Sequence, residues 1–82
     1  MKIALLDLVV EALKDAPLPV QRAFDKQLRF LAHDLHHPSL HAKKYDESKD
    51  QWQARVNKNW RFYFKVVGDT YVITEVIPHP KK

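Results

Sequence analysis

The chain has 82 residues, 14 Lys and Arg against 10 Asp and Glu for a formal charge of +4, a single Gly and no Cys. That length supports one small domain; one glycine leaves no glycine-cradled nucleotide loop, and the lack of cysteine removes disulfides, thiol catalysis and cysteine–zinc sites. A hydrophobic content of 45% is too high for disorder. No run approaches the roughly 18 apolar residues of a membrane span. With no small-residue cleavage site near the start, the expected location is the cytoplasm.

Lys2–Leu5 reads either as the first turn of a helix or as a short strand. Leu6, Val9, Val10 and Leu13 then recur at helical spacing, with Asp7 as a candidate N-cap and Pro17 and Pro19 as the stop. Over residues 18–37 the apolar positions Val20, Phe24, Leu28, Leu31 and Leu35 step by three and four, which predicts an amphipathic helix ended by Pro38. The tight Pro17-Leu18-Pro19 link makes the two helices an antiparallel hairpin. Residues 39–50 are polar and read as a connection.

From there the period changes to two. Trp52, Ala54 and Val56 alternate with polar residues over 51–56, Trp60, Phe62, Phe64 and Val66 do so over 60–66, and residues 70–77 are rich in β-branched side chains. Three strands with short links make an antiparallel meander, whose apolar face the helical hairpin must cover. The expected class is therefore α+β: an N-terminal helical hairpin packed on a C-terminal antiparallel sheet of three strands, with a fourth if Lys2–Leu5 is extended.

Parity sharpens this. The two aromatic sets must share the buried face, and a one-residue slip would expose half of them. A loop leaving Asn57, Lys58 and Asn59 unpaired satisfies that condition. It sets Val56 opposite Trp60, Gln53 opposite Tyr63, and Arg55 opposite Arg61 on the sheet's open face. Like charges so placed are unfavourable by up to about 1 kcal/mol, and an anion between them reverses the sign; the alternative is that water and salt screen them. The charge distribution agrees with an anionic partner: residues 43–82 carry nine basic and five acidic side chains, while residues 1–42 are balanced. Solubility alone would also account for an excess of this size.

Four histidines, His33, His36, His37 and His41, gather near the end of the second helix. Pro38 breaks the i,i+4 pair from any further ligand, so no metal site is expected. Asp46, Glu47 and Asp50 read as balancing the lysines of the connection.

The run Trp52-Gln-Ala-Arg55-Val56, a short turn, Trp60-Arg61-Phe-Tyr-Phe64, then Gly68-Asp69 and Ile77-Pro78-His79, resembles the RelE/ParE superfamily of toxins from bacterial toxin–antitoxin modules. The resemblance spans nearly the whole chain and implies a helical hairpin on an antiparallel sheet. Its nuclease branch cleaves mRNA on the ribosome without a metal or other cofactor: the ribose 2′-hydroxyl attacks the adjacent phosphate, giving a 2′,3′-cyclic phosphate. The resemblance implies that Arg61 binds the scissile phosphate, that Arg55 is a second cation, and that His79 supplies acid/base chemistry. Lys43, Lys44, Tyr63 and Lys65 are candidate RNA contacts, with Tyr63 placed to stack on a base. It also implies an antitoxin protein partner, with acidic or apolar segments for the basic face or the helical hairpin. Two departures stand out: no tyrosine follows His79, and Gln51 and Gln53 flank Arg55 where some members carry lysines. These favour the alternative, a non-catalytic or gyrase-directed member of the same fold.

Overall fold

A computed structural model describes residues 1–78. In chain order the elements are β1 (Lys2–Leu5), α1 (Asp7–Asp15), α2 (Leu18–His33), β2 (Lys43–Asp46), β3 (Gln51–Asn57), β4 (Trp60–Val67) and β5 (Thr70–Pro78). Short 3-10 turns at Pro38–Leu40 and Glu47–Lys49 precede β2 and β3. The five strands form one sheet in the order β1-β5-β4-β3-β2, with β1 parallel to β5 and the other neighbours antiparallel. Both helices lie on one face of this sheet. Val9, Val20, Phe24 and Leu31 meet Ala54, Phe62, Phe64 and Ile73 in a single core, with Phe24 edge-on to Phe62 at 5.3 Å.

The α+β class and the three-strand meander stand as expected, and Lys2–Leu5 is resolved as a strand. Several local expectations are corrected. Asp7 is the first residue of α1 and Leu6 its cap, without a side-chain hydrogen bond; the Leu6 carbonyl itself accepts from the Val9 and Val10 amides. α2 ends at His33, short of Pro38, because the Asp34 carboxylate accepts the His36 amide at 2.9 Å and turns the chain first. Leu35 therefore leaves the helical stripe. The polar connection holds a strand, β2, whose four residues Lys-Lys-Tyr-Asp carry no apolar period because it is a solvent-facing sheet edge.

The β3–β4 link is also shorter than expected. Asn57 pairs with Trp60, so only Lys58 and Asn59 are in the turn, and Val56 is the extra residue of a bulge. Parity is kept by this bulge instead of by a three-residue loop, so Arg55 still faces Arg61 while Val56 stays in the core. A second bulge at Thr74 does the same for β5. It switches the buried set from Tyr71 and Ile73 to Val76, with Thr74 Oγ1 donating to the Tyr63 carbonyl at 3.3 Å. The β4–β5 link is a two-residue turn in which Gly68 takes φ 61°, as a II′ hairpin turn requires at its first position.

Candidate active site

With the helices covering one face, the alternation of β3 and β4 sends Gln53, Arg55, Arg61, Tyr63 and Lys65 to the other. The register arranges them in rows: Lys43, Gln53, Tyr63 and Glu75 form one, and Arg55, Arg61 and Ile77 the next. β2 starts opposite Gln53 and does not reach Arg55. The edge left there is a cleft of about 490 Å3 lined by His41, Lys43, Gln53, Arg55 and Arg61 among others. A second groove of about 340 Å3, toward α2, shares His41 and Arg55 with it and adds Lys26 and Asn57.

The two guanidinium groups are held differently. Arg61 Nη1 donates to the carbonyls of Asn57 at 2.8 Å, Trp60 at 3.0 Å and, more weakly, Lys58 at 3.4 Å, so the β3–β4 turn fixes it from behind. Its Nη2 carries no hydrogen bond among the described residues. Arg55 Nε is buried and has no hydrogen-bond partner among them. Neither arginine forms an ion pair among the described residues, Glu75 included. Burial first, then the like charge of Arg55, hold the Arg61 pKa below the ordinary guanidinium value. Arg61 nevertheless stays cationic at neutral pH. Two cations that destabilise each other, with donors left over, make a site for an oxyanion.

Inorganic phosphate is therefore expected to stabilise the fold. At ten times its dissociation constant the gain is about 1.4 kcal/mol, a rise of several degrees in Tm. Chloride at matched ionic strength leaves Tm unchanged, and Arg55→Gln or Arg61→Gln abolishes the phosphate effect; thermal melts read both.

The other candidate residues divide. Lys43 lines the cleft. Lys44 is not brought to it: it stands opposite Trp52 in the register, 3.0 Å from Asp50 Oδ1 and 5.8 Å above the Trp52 ring. Lys65 is exposed on the open face, in the row beyond Tyr63. Tyr63 is only 9% exposed, and Tyr45 packs against it edge-on at 5.1 Å. The aromatic ring this face offers to solvent is Tyr45, at 62% exposure, projected by the irregularity between Lys44 and Asp46. Sequence reading missed Tyr45 because β2 looked like loop. Burial, then Tyr45 and Glu75, raise the Tyr63 pKa above its ordinary value, so its phenol is protonated at neutral pH. His79 lies outside the described residues.

A buried glutamine sets the walls of both grooves. Gln27 occupies a core-facing slot of α2, 3% exposed, where the sequence pattern favours Leu28. Its Nε2 donates to the Arg55 carbonyl at 2.8 Å and the Ser39 carbonyl at 2.9 Å, and its Oε1 lies 3.1 Å from Ser39 Oγ. Ser39 Oγ also sits 2.9 Å from His37 Nδ1, and the His37 ring stacks on Phe30 at 3.8 Å. Gln27 thus ties α2, the Pro38–Leu40 turn and β3 together beside Arg55. Gln27→Leu leaves two carbonyls unpaired and is expected to cost roughly 2–4 kcal/mol, measured as a lower urea midpoint with unchanged slope.

No family model matches the sequence, and no curated protein matches it. Among solved structures the chain is similar to a chain of the archaeal RelE–RelB complex from Pyrococcus horikoshii, with a TM-score of 0.84 and 19% identity over 99% of this chain and 97% of that one. It is also similar to the YoeB/ParE toxin from Agrobacterium tumefaciens, with a TM-score of 0.79 and 11% identity over 98% and 100%. A third similarity is to the RelB–RelE antitoxin–toxin complex from Methanococcus jannaschii, with a TM-score of 0.76 and 19% identity over 92% and 88%. The architecture is accordingly a small α+β one shared with these structures. Its fold is the RelE/YoeB/ParE fold, from end to end of the described chain.

Proposed function

We propose that this chain is the toxin of a toxin–antitoxin pair and acts as an endoribonuclease that cleaves mRNA, with the ribosome presenting the substrate. The observation carrying this reading is the Arg55–Arg61 pair lining a solvent-open cleft, with Arg61 Nη2 free of hydrogen bonds among the described residues. In-line attack by a ribose 2′-hydroxyl builds negative charge on the phosphate oxygens, and two guanidinium groups, that of Arg61 braced by the β3–β4 turn, stabilise that charge without a metal. Lys43 and Lys26 extend the positive lining along the two adjoining grooves, so that a polynucleotide backbone has cations on either side of the arginines. The fold supports an antitoxin protein as the other partner, since its similarities include two RelE–RelB complexes.

The test is incubation of the protein with translating ribosomes in the presence of EDTA, followed by mapping of the mRNA ends. Cleavage that persists and leaves 2′,3′-cyclic phosphate and 5′-hydroxyl ends supports the reading. Intact mRNA, or cleavage abolished by EDTA, refutes it; recovery of gyrase rather than ribosomes from a pull-down would replace it with the non-catalytic alternative.

A further inference from the structure

We propose that His41 is the proton-transfer residue of this cleft, an inference that rests on the nuclease reading above. The argument begins with register. Lys43 pairs with Gln53 where the β2–β3 ladder begins; His41 lies two residues before Lys43, and Arg55 two residues after Gln53. Arg55 is in turn opposite Arg61. The lining of the cleft brings His41, Arg55 and Arg61 together. His41 itself lies outside the ladder and adopts the left-handed conformation at φ 47° and ψ 41°. It lines both the cleft and the groove toward α2, and so stands at their junction beside Arg55. A polynucleotide running through both grooves would have one phosphodiester at that junction.

The chemistry selects His41 from its neighbours. The charged groups that line the two grooves with it are Lys43 on β2, Arg55 on β3, Arg61 on β4 and Lys26 on α2. All four are cations, and no carboxylate lines either groove among the described residues. Tyr63, in the adjacent row, holds its proton at neutral pH. Imidazole is the side chain suited to take a proton near neutrality. Its backbone is secured from both sides: Ser39, two residues before, is bound by Gln27, and the β2 ladder starts two residues after. A left-handed non-glycine residue is disfavoured and persists where its surroundings fix it.

In the step proposed, the neutral His41 ring accepts the 2′-hydroxyl proton as the 2′-oxygen bonds to phosphorus. The bond from phosphorus to the 5′-oxygen breaks, that oxygen takes a proton from solvent, and His41 returns its own proton to solvent. No oxidant or metal enters.

The test uses His41→Asn, because asparagine accepts the left-handed conformation but cannot serve as a base, beside His41→Ala, His79→Ala and Arg61→Ala, each checked for folding by circular dichroism. Single-turnover cleavage on ribosomes is expected to fall roughly 10²- to 10⁴-fold in both His41 variants, with RNA binding retained and the rising limb of the pH–rate profile lost. Added imidazole should restore part of the His41→Ala rate. If the His41 variants cleave with the wild-type rate and pH profile while Arg61→Ala is inactive, the nuclease reading stands and His41 is excluded. If His79→Ala alone removes the limb, His41 is likewise excluded. If the wild type does not cleave, both proposals fall together.

Discussion

Arg61→Ala is expected to lower mRNA cleavage by at least about a hundredfold, the loss of one preorganised oxyanion donor being worth roughly 2.7–4 kcal/mol. Arg61→Lys should recover little of this. Lysine keeps the charge but not the planar fork, and Arg61 uses one arm of that fork on the turn carbonyls of Asn57 and Trp60 while offering the other to the cleft. The same dual use predicts a smaller structural effect, about 1 kcal/mol for the lost turn bonds. Urea unfolding of the variant therefore separates the two roles: a hundredfold loss of cleavage with a stability change near 1 kcal/mol marks a phosphate ligand. A loss of cleavage that tracks unfolding would mark a residue that only holds the hairpin.

The largest effect on stability is expected at Phe62. Its side chain is fully buried in the central strand β4, edge-on to Phe24 at 5.3 Å and tilted against Phe64 at 5.8 Å. Phe62→Ala should cost roughly 3–5 kcal/mol. A domain of this length has a total of only roughly 4–12 kcal/mol at about 0.05–0.15 kcal/mol per residue. The variant should therefore be largely unfolded near its wild-type melting temperature, as read by near-ultraviolet circular dichroism. Phe62→Leu, which keeps most of the volume, should retain the fold. A well-folded Phe62→Ala would mean that the helices do not depend on this sheet face for their packing.

The meander was legible because its signal is strong and local. Trp52, Ala54 and Val56 against Trp60, Phe62 and Phe64 admit one face assignment, and together with the short link at residues 57–59 it sets Arg55 opposite Arg61. What the pattern could not reveal was how the parity is kept: a three-residue loop and a two-residue turn with a bulge at Val56 give the same faces. β2 was hidden for a different reason. An edge strand covered by neither helix has no core side, so Lys43 to Asp46 carry no apolar alternation. Losing β2 meant losing the placement of Tyr45 and His41 as well. Gln27 was hidden by its chemistry, since a glutamine in a core slot is explained only by the carbonyls of Ser39 and Arg55, which lie far from it in sequence. Asp34 ended α2 early by a side-chain bond that competes with the helix, while Pro38 drew attention to the later boundary.

The parallel pairing of β1 with β5 has a consequence for biosynthesis. Lys2 to Leu5 find their ladder partners at Thr70 to Ile73, almost the full length of the chain away. Such a long-range closure is slow and cannot begin while the later segment is still inside the ribosome that makes it. The β1 edge of the sheet thus stays unpaired during synthesis until Thr70 to Ile73 have left the ribosome, and the five-stranded sheet closes only after that point.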